Sequence, residues 1–332
     1  MRIAIIRLSA LGDIVNSVFV LSFIKEKYPN ATIDWVCEEA FASLLERHPL
    51  VDNVHIVSIK RAKKERSLSL LMQTIRKLKT LGSYDHIIDL QGLLKSALAA
   101  RVIGSNIHGF DSDSLREGVA ARLYKTHTHI PYRENAMIRT AKIISDALDL
   151  DITADAMLSK PAAFEKDTLT PELRALFSPT EKNIVFTLGS SWPSKVYPKE
   201  LFLEVAKLLE ATIILVWGSE GEYQDAEFIA ASCEECKVAP KLSLYELIQL
   251  ITHADLLIGN DSGPTHMAWM QNRPSIALFG PTPAYKMMFE TPINLAIESD
   301  SKIDPLKLNR EDDSIKTILP ETIVAKAEML LR

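Results

Sequence analysis

Cysteine, long apolar segments and excess positive charge are all scarce in this chain of 332 residues. Its three cysteines are too few, and odd in number, for a disulfide framework, which favours a reducing compartment. No segment approaches the roughly 18 apolar residues of a membrane span, and the N-terminus lacks the features of a secretory signal. The net charge of -5 is unlike that of a nucleic-acid-binding protein. We therefore expect a cytoplasmic protein with no nucleic-acid partner.

Two short motifs carry residue types that bind metals elsewhere. Cys233 and Cys236 form a C-x-x-C pair, but no second pair or histidine cluster completes a zinc site, so a helix surface is the simpler interpretation. Asp111 and Asp113 form a D-x-D pattern, for which a turn or helix start is the alternative to a divalent metal site. We predict neither a metal nor a cofactor.

Apolar segments typical of buried strands alternate with amphipathic segments along most of the chain. The predicted strands are 3–6, 32–36, 54–57, 86–90, 183–188, 212–217, 256–258 and 275–279. The predicted helices are 13–27, 41–47, 67–81, 93–102, 199–209, 222–232, 244–252, 266–271 and 321–331. This alternation predicts an α/β protein with parallel sheets covered on both sides.

The length suits two domains of about 150 residues each. The helix and strand periodicity fades before residue 182, and Pro161, Pro171 and Pro179 interrupt this part of the chain. We predict a doubly wound, Rossmann-like domain at 1–155, a linker at 156–182 and a second such domain at 183–332. The last helix is expected to pack on either domain. Ligands of such sheets bind at the carboxyl ends of the strands, so we expect the two domains to face each other across a functional cleft.

The segment from Gly259 to His266 follows a predicted strand and precedes a predicted helix. Gly263 allows the backbone to approach a ligand, and a helix N-terminus attracts anions such as a diphosphate. A simple helix start capped by Asp261 or Ser262 is the alternative. The combination of glycine, hydroxyl groups and histidine favours the phosphate site.

Two further loops end strands of the same predicted domain. Ser190, Ser191 and Lys195 follow the first of these strands, and Lys195 either neutralises a diphosphate or is simply solvated. Trp217 ends the next strand, and Glu222 stands where a carboxylate commonly accepts hydrogen bonds from the hydroxyls of a ribose, with Glu220 as the alternative.

In the N-terminal half, Asp13 follows the first strand and its turn. The carboxylate is placed either to act as a general base or to cap a helix. Five cations then cluster at Lys60, Arg61, Lys63, Lys64 and Arg66. Such a cluster is either a solvated face or a site for an anionic acceptor near a charged membrane surface, to which Lys95 and Arg116 add.

Taken together, the ordered motifs resemble the bacterial lipopolysaccharide heptosyltransferases, which are glycosyltransferases of the GT-B fold. The resemblance rests on segments 2–13, 34–39, 89–96, 215–218, 261–266 and 279–282. It implies a metal-independent, inverting transfer of L-glycero-D-manno-heptose from an ADP-linked donor to Kdo of the lipid A inner core. It also implies peripheral association with the cytoplasmic face of the inner membrane.

The resemblance assigns roles to residues at matching positions. Asp13 is the implied base and Lys195 the implied contact of the diphosphate. The implied donor-binding residues are Ser190, Ser191, Lys195, Trp217, Glu222, Asp261, Ser262, Gly263 and His266. The implied acceptor-binding residues are Ser9, Lys60, Arg61, Lys63, Lys64, Gln91 and Arg116. Serines at 190, 191 and 262 replace threonines that are common in the family, but the hydroxyl groups are kept. A related enzyme that adds heptose to heptose and a non-catalytic nucleotide-binding module are the alternatives.

Overall fold

Twelve parallel strands form two six-stranded sheets in the computed structural model, which describes residues 1–332. The chain divides into two units, Met1–Ala163 and Phe164–Arg332. This division falls within the predicted connection at 156–182. No helix has the length and apolar character needed to cross a membrane.

The sheet of the first unit has the strand order β3-β2-β1-β4-β5-β6. Its strands are β1 (Arg2–Ile6), β2 (Thr32–Glu38), β3 (Asn53–Val57), β4 (His86–Asp89), β5 (Ile107–Phe110) and β6 (Thr126–Thr128). Its helices are α1 (Leu11–Val15), α2 (Val20–Lys27), α3 (Ala42–Glu46), α4 (Ile59–Glu65), α5 (Leu68–Lys79), α6 (Leu94–Ile103), α7 (Ala136–Leu148) and α8 (Ala154–Leu158). The strand order reverses between β1 and β4, which is where ligands bind in doubly wound sheets.

The sheet of the second unit has the order β12-β11-β10-β7-β8-β9, which repeats the same winding. Its strands are β7 (Asn183–Thr187), β8 (Thr212–Val216), β9 (Cys236–Val238), β10 (Leu256–Asn260), β11 (Ser275–Phe279) and β12 (Asn294–Glu298). Its helices are α9 (Pro171–Arg174), α10 (Lys199–Leu208), α11 (Glu220–Ala230), α12 (Leu244–His253), α13 (Gly263–Met270), α14 (Ala284–Met287) and α15 (Pro320–Leu331). The last of these packs against α10, β10 and β11 of its own unit.

One predicted helix is interrupted in the structure. The segment 13–27 was expected to be continuous, but α1 ends at Val15 and α2 begins at Val20. The Ser17 hydroxyl donates a hydrogen bond to the carbonyl oxygen of Asp13 at 2.6 Å. Such a bond back to the preceding turn competes with regular helix geometry. The prediction of one continuous helix is therefore wrong.

The C-x-x-C pair is buried in the second unit. Cys233 follows α11, Cys236 begins β9, and both side chains belong to the hydrophobic core. The two residues form a disulfide, whereas Cys37 is free and buried. The prediction that this pair lies on a helix surface is wrong, because both residues lie beyond the end of α11 with their side chains in the core.

Candidate active site

The loop after β1 carries Asp13, at the strand-order reversal of the first sheet. Asp13 is the third residue of α1 and not its N-cap, which is Ala10. One carboxylate oxygen accepts the Ala10 N–H at 3.1 Å, and the other lies 3.1 Å from Arg7 Nη2. The carboxylate is thus oriented by two groups, yet its side chain stays 40% exposed and accessible to a substrate.

The neighbouring strand, β4, supports this loop through Gln91. Gln91 Oε1 accepts the Leu8 N–H at 2.8 Å, and the Gln91 N–H bonds to Asp89 at 2.9 Å. Burial raises the pKa of Asp89 despite hydrogen bonds from its neighbours. The Lys95 ammonium reaches Ser9 Oγ at 3.3 Å. The structure therefore brings Ser9, Gln91 and Lys95 to the loop that carries Asp13.

The basic cluster forms the short helix α4, which was not predicted as a separate element. Glu38 is nearly buried at the end of β2 and accepts the Lys60 N–H at 3.0 Å. Burial raises the pKa of Glu38, while the bond from Lys60 opposes that rise. Arg61 pairs with exposed Glu39 at 2.9 Å. The other predicted acceptor cations, Lys63, Lys64 and Arg116, are exposed.

A buried ion pair forms the centre of the site in the second unit. Lys195 Nζ lies 2.6 Å from Asp261 Oδ2, with side chains only 8% and 3% exposed. The other oxygen of Asp261 lies 3.1 Å from His266 Nε2, and Thr282 Oγ1 donates to Oδ2 at 2.7 Å. Burial opposes ionisation, but the hydrogen bond from His266 and the charge of Lys195 hold the pKa of Asp261 well below its usual range. Asp261 is therefore a carboxylate that fixes the side chains of Lys195 and His266.

The loop after β7 joins this cluster through Ser190. Its hydroxyl donates to the carbonyl oxygen of Asp261 at 2.9 Å, whereas Ser191 is exposed. Ser262 occupies the N-cap position of α13, but its side chain makes no capping bond and instead lies 3.2 Å from Thr265 Oγ1. The first turn of α13, which begins at Gly263, thus keeps N–H groups that Ser262 does not cap.

Glu222 lies on α11, directly over the loop after β7. Its carboxylate accepts the Gly218 N–H at 2.6 Å, and a Cβ atom on Gly189 would lie 2.3 Å from it. Trp217 donates to the carbonyl oxygen of Ala239 at 2.8 Å. The ring of Trp217 lies under the Lys241 ammonium, whose distance to the ring centroid is 4.5 Å. The predicted ribose-binding carboxylate thus adjoins both neighbouring loops.

Sequence reasoning missed several partners of the predicted residues, namely Arg7, Gly189, Lys241 and Thr282. The position of Thr282 after β11 was the available signal, because neighbouring parallel strands place their carboxyl ends together. The D-x-D motif has a local role: Asp111 caps a short 3-10 turn through the Ser114 N–H and lies 2.6 Å from His129 Nδ1. This arrangement matches the turn interpretation of the motif.

Solved structures establish the architectural class of the chain. The structure described as "E. coli heptosyltransferase WaaC with ADP" aligns with a TM-score of 0.82 and 23% identity, covering 99% of this chain and all of that one. The two doubly wound units thus form a GT-B glycosyltransferase fold.

Sequence comparisons then identify the family. The chain belongs to glycosyltransferase family 9 (heptosyltransferase), whose family model matches residues 71–301. A protein named lipopolysaccharide heptosyltransferase 1, from Campylobacter coli, is 39% identical and covers 98% of this chain and 97% of its own. The Pseudomonas aeruginosa protein of that name is 32% identical and covers 85% of this chain and 79% of its own.

Proposed function

We propose that the protein transfers L-glycero-D-manno-heptose from its ADP-linked form to Kdo of the lipid A inner core. The observation that carries this proposal is the 39% identity, over almost the whole length of both chains, to a protein named lipopolysaccharide heptosyltransferase 1. The oriented carboxylate of Asp13 and the ion pair between Lys195 and Asp261 supply chemistry that this reaction requires.

The proposed donor site lies in the second unit. Lys195, held by Asp261, presents a fixed positive charge to the diphosphate, and the first turn of α13 supplies backbone N–H groups. The Glu222 carboxylate accepts hydrogen bonds from the ribose hydroxyls, and Trp217 lies in the adjoining loop. Ser190, Ser191, Ser262 and His266 complete the proposed donor contacts.

The proposed reaction is a single displacement. The Asp13 carboxylate removes the proton from a Kdo hydroxyl while that oxygen forms a bond to the anomeric carbon of heptose. The bond from this carbon to the ADP oxygen breaks, and ADP leaves with the electron pair and with its charge stabilised near Lys195. Attack from the face opposite the leaving group inverts the anomeric centre. No metal ion is needed in this scheme.

The acceptor is proposed to bind through Ser9, Gln91 and the cations Lys60, Arg61, Lys63, Lys64 and Arg116. Lipid A is anchored in a membrane, so we place the protein at the cytoplasmic face of the inner membrane, bound peripherally. Exposed cations suit the anionic groups of such an acceptor.

The test is a mass-detected transfer assay with ADP-heptose and two deacylated acceptors, one ending in Kdo and one ending in heptose. The proposal expects product on the Kdo acceptor and little on the other. Product only on the heptose acceptor would assign the enzyme to the second step of core assembly. ADP binding without donor consumption on either acceptor would indicate a nucleotide-binding module.

A further inference from the structure

One face of the first sheet is covered by α4, α5, α6 and the 3-10 turn Gly118–Leu123, which we call the docking face. These elements pack side by side over a shared apolar core against the sheet. Their outer side exposes six of the eight large apolar side chains that are exposed in the first unit: Leu68, Leu71, Met72, Leu94, Leu98 and Val119. Such a concentration of exposed apolar groups marks an interaction surface.

Helix α5 carries two apolar stripes, of which only one faces the core. Leu78 and Thr74 are buried against the unit, as expected for a surface helix. Leu68 and Met72 are one helical turn apart on another side and are exposed, with Leu68 at 77%, whereas Leu71 is exposed at the edge of the buried stripe. Leu94 and Leu98 repeat this spacing on neighbouring α6. The core of the unit therefore does not account for the second stripe.

Positive charge is concentrated around the same side chains. Residues 59–79 contain eight lysines and arginines and a single acidic residue, Glu65, although the whole chain has a net charge of -5. Arg66, Arg76 and Lys79 are exposed beside the apolar stripe of α5. A second copy of this chain would bring two cation-rich surfaces together, which like-charge repulsion disfavours.

We propose that the docking face binds an anionic lipid bilayer. Basic helices that expose leucine and methionine insert the apolar side chains below the headgroups, while the cations contact anionic lipid. This inference rests on the proposed function in one respect, because a membrane-borne acceptor requires the enzyme to approach a bilayer.

The docking face is continuous with the residues around Asp13. Leu94 is exposed and directly precedes Lys95, whose ammonium contacts Ser9 in the loop that carries Asp13. A bilayer in contact with Leu94 therefore brings lipid headgroups next to the proposed acceptor site.

The test is co-sedimentation of the full-length protein with vesicles. Wild-type protein is expected to bind phosphatidylglycerol vesicles, to bind phosphatidylcholine vesicles weakly, and to lose binding as salt is raised. The double variant Leu68→Ser/Met72→Ser should bind phosphatidylglycerol vesicles at least about tenfold more weakly, since both inserted side chains become polar. The matched control is Leu158→Ser/Leu208→Ser, which changes two leucines of 49% and 50% exposure outside the docking face.

Unchanged vesicle binding by Leu68→Ser/Met72→Ser, equal loss in the control, or absence of wild-type binding would overturn the inference. Dimerisation of the wild type that the double variant abolishes would assign the face to a second copy instead. Circular dichroism and heptose transfer to the deacylated acceptor should be unchanged in both variants. Vesicle binding requires no donor or acceptor, so its outcome is independent of whether the proposed transfer reaction occurs.

Discussion

Lys195 and Asp261 show how a single buried ion pair organises a cluster of polar side chains in the second unit. Both charges are almost completely removed from water, so each depends on the other and on the hydrogen bonds of His266 and Thr282. Exposed pairs in the same unit, such as Lys199 with Asp225, have no such dependence because water screens them.

Replacing Lys195 with methionine is therefore expected to lower the free energy of unfolding by about 3 kcal/mol, since it leaves the Asp261 carboxylate buried without its cation. The same change should weaken ADP binding. Urea unfolding and titration calorimetry measure the two effects. The control Lys199→Met should cost less than about 1 kcal/mol. An equal loss of unfolding free energy in the two variants would contradict the claim that burial makes Asp261 depend on Lys195.

The residue types of this site were predictable from the sequence, but their partnerships were not. Lys195 and Asp261 each follow a predicted strand, which indicates a shared edge of the sheet. No local pattern specifies that their side chains meet at 2.6 Å, because that contact depends on how β7 and β10 pair. Arg7 was missed for a related reason. It precedes the turn, and its contact with Asp13 depends on the conformation of the loop between them.

At the scale of elements, Gly189 allows α11 to approach the loop after β7. The Glu222 carboxylate occupies the space in which any Cβ at position 189 would lie. A side chain there must displace the Glu222 carboxylate, which accepts the Gly218 N–H.

Gly189→Ala is expected to weaken ADP binding by about tenfold, because the displaced Glu222 carboxylate would lose one hydrogen bond to the ribose. Gly221→Ala is the matched control, because nothing lies within 4 Å of its added Cβ and it stands inside α11. That control should bind ADP normally and gain about 0.5–1 kcal/mol of stability. Calorimetric ADP titration of both variants makes the comparison, and normal ADP binding by Gly189→Ala would exclude this role of the glycine.

Strands with a continuous apolar run were predicted well, whereas the amphipathic helix α7 and several elements with a weak apolar pattern were missed. Strands such as β1 and β8 are apolar on both faces and stand out from their surroundings. Helix α4 was missed because cations fill most of its positions and only Ala62 is buried. The short edge strands β6 and β9 have few residues and little apolar pattern, so their formation depends on pairing with the neighbouring strand of the sheet.

At the scale of the whole molecule, acid stability depends on carboxylates that the fold keeps ionised. Asp34 is buried in the first unit, within hydrogen-bond distance of His55, Tyr84 and Asn53. Burial opposes its ionisation, but these hydrogen bonds hold the pKa of Asp34 well below its usual range. The stabilisation is therefore complete above the unfolded pKa of about 3.9 and is lost as the pH falls further.

Asp34→Asn is expected to lower the free energy of unfolding by about 2 kcal/mol at pH 7 and by less at pH 3. Urea unfolding followed by far-ultraviolet circular dichroism at both pH values measures the difference. Asp149→Asn changes an exposed carboxylate and should have little effect at either pH. If Asp34→Asn lowered the free energy of unfolding equally at pH 7 and at pH 3, the claim that the fold keeps the Asp34 carboxylate ionised would be contradicted.

The two-unit organisation follows from length and from the repeated alternation of strands and helices, so it was accessible from the sequence. The distribution of charge over the surface was less accessible from the sequence. A net charge of -5 conceals the cations gathered around α4 and α5, because composition averages over faces that the fold separates.

The central claim is that Asp13 is the base of a heptosyl transfer. The most direct measurement is the single-turnover rate of heptose transfer to the Kdo acceptor by wild type and by Asp13→Asn, with ADP binding measured in parallel. Asparagine preserves the size of the side chain and can still accept the Ala10 N–H, but it loses the ion pair with Arg7 and cannot accept the proton. We predict a rate lower by about 10²–10⁴ with ADP affinity unchanged. A rate equal to that of the wild type would contradict the claim.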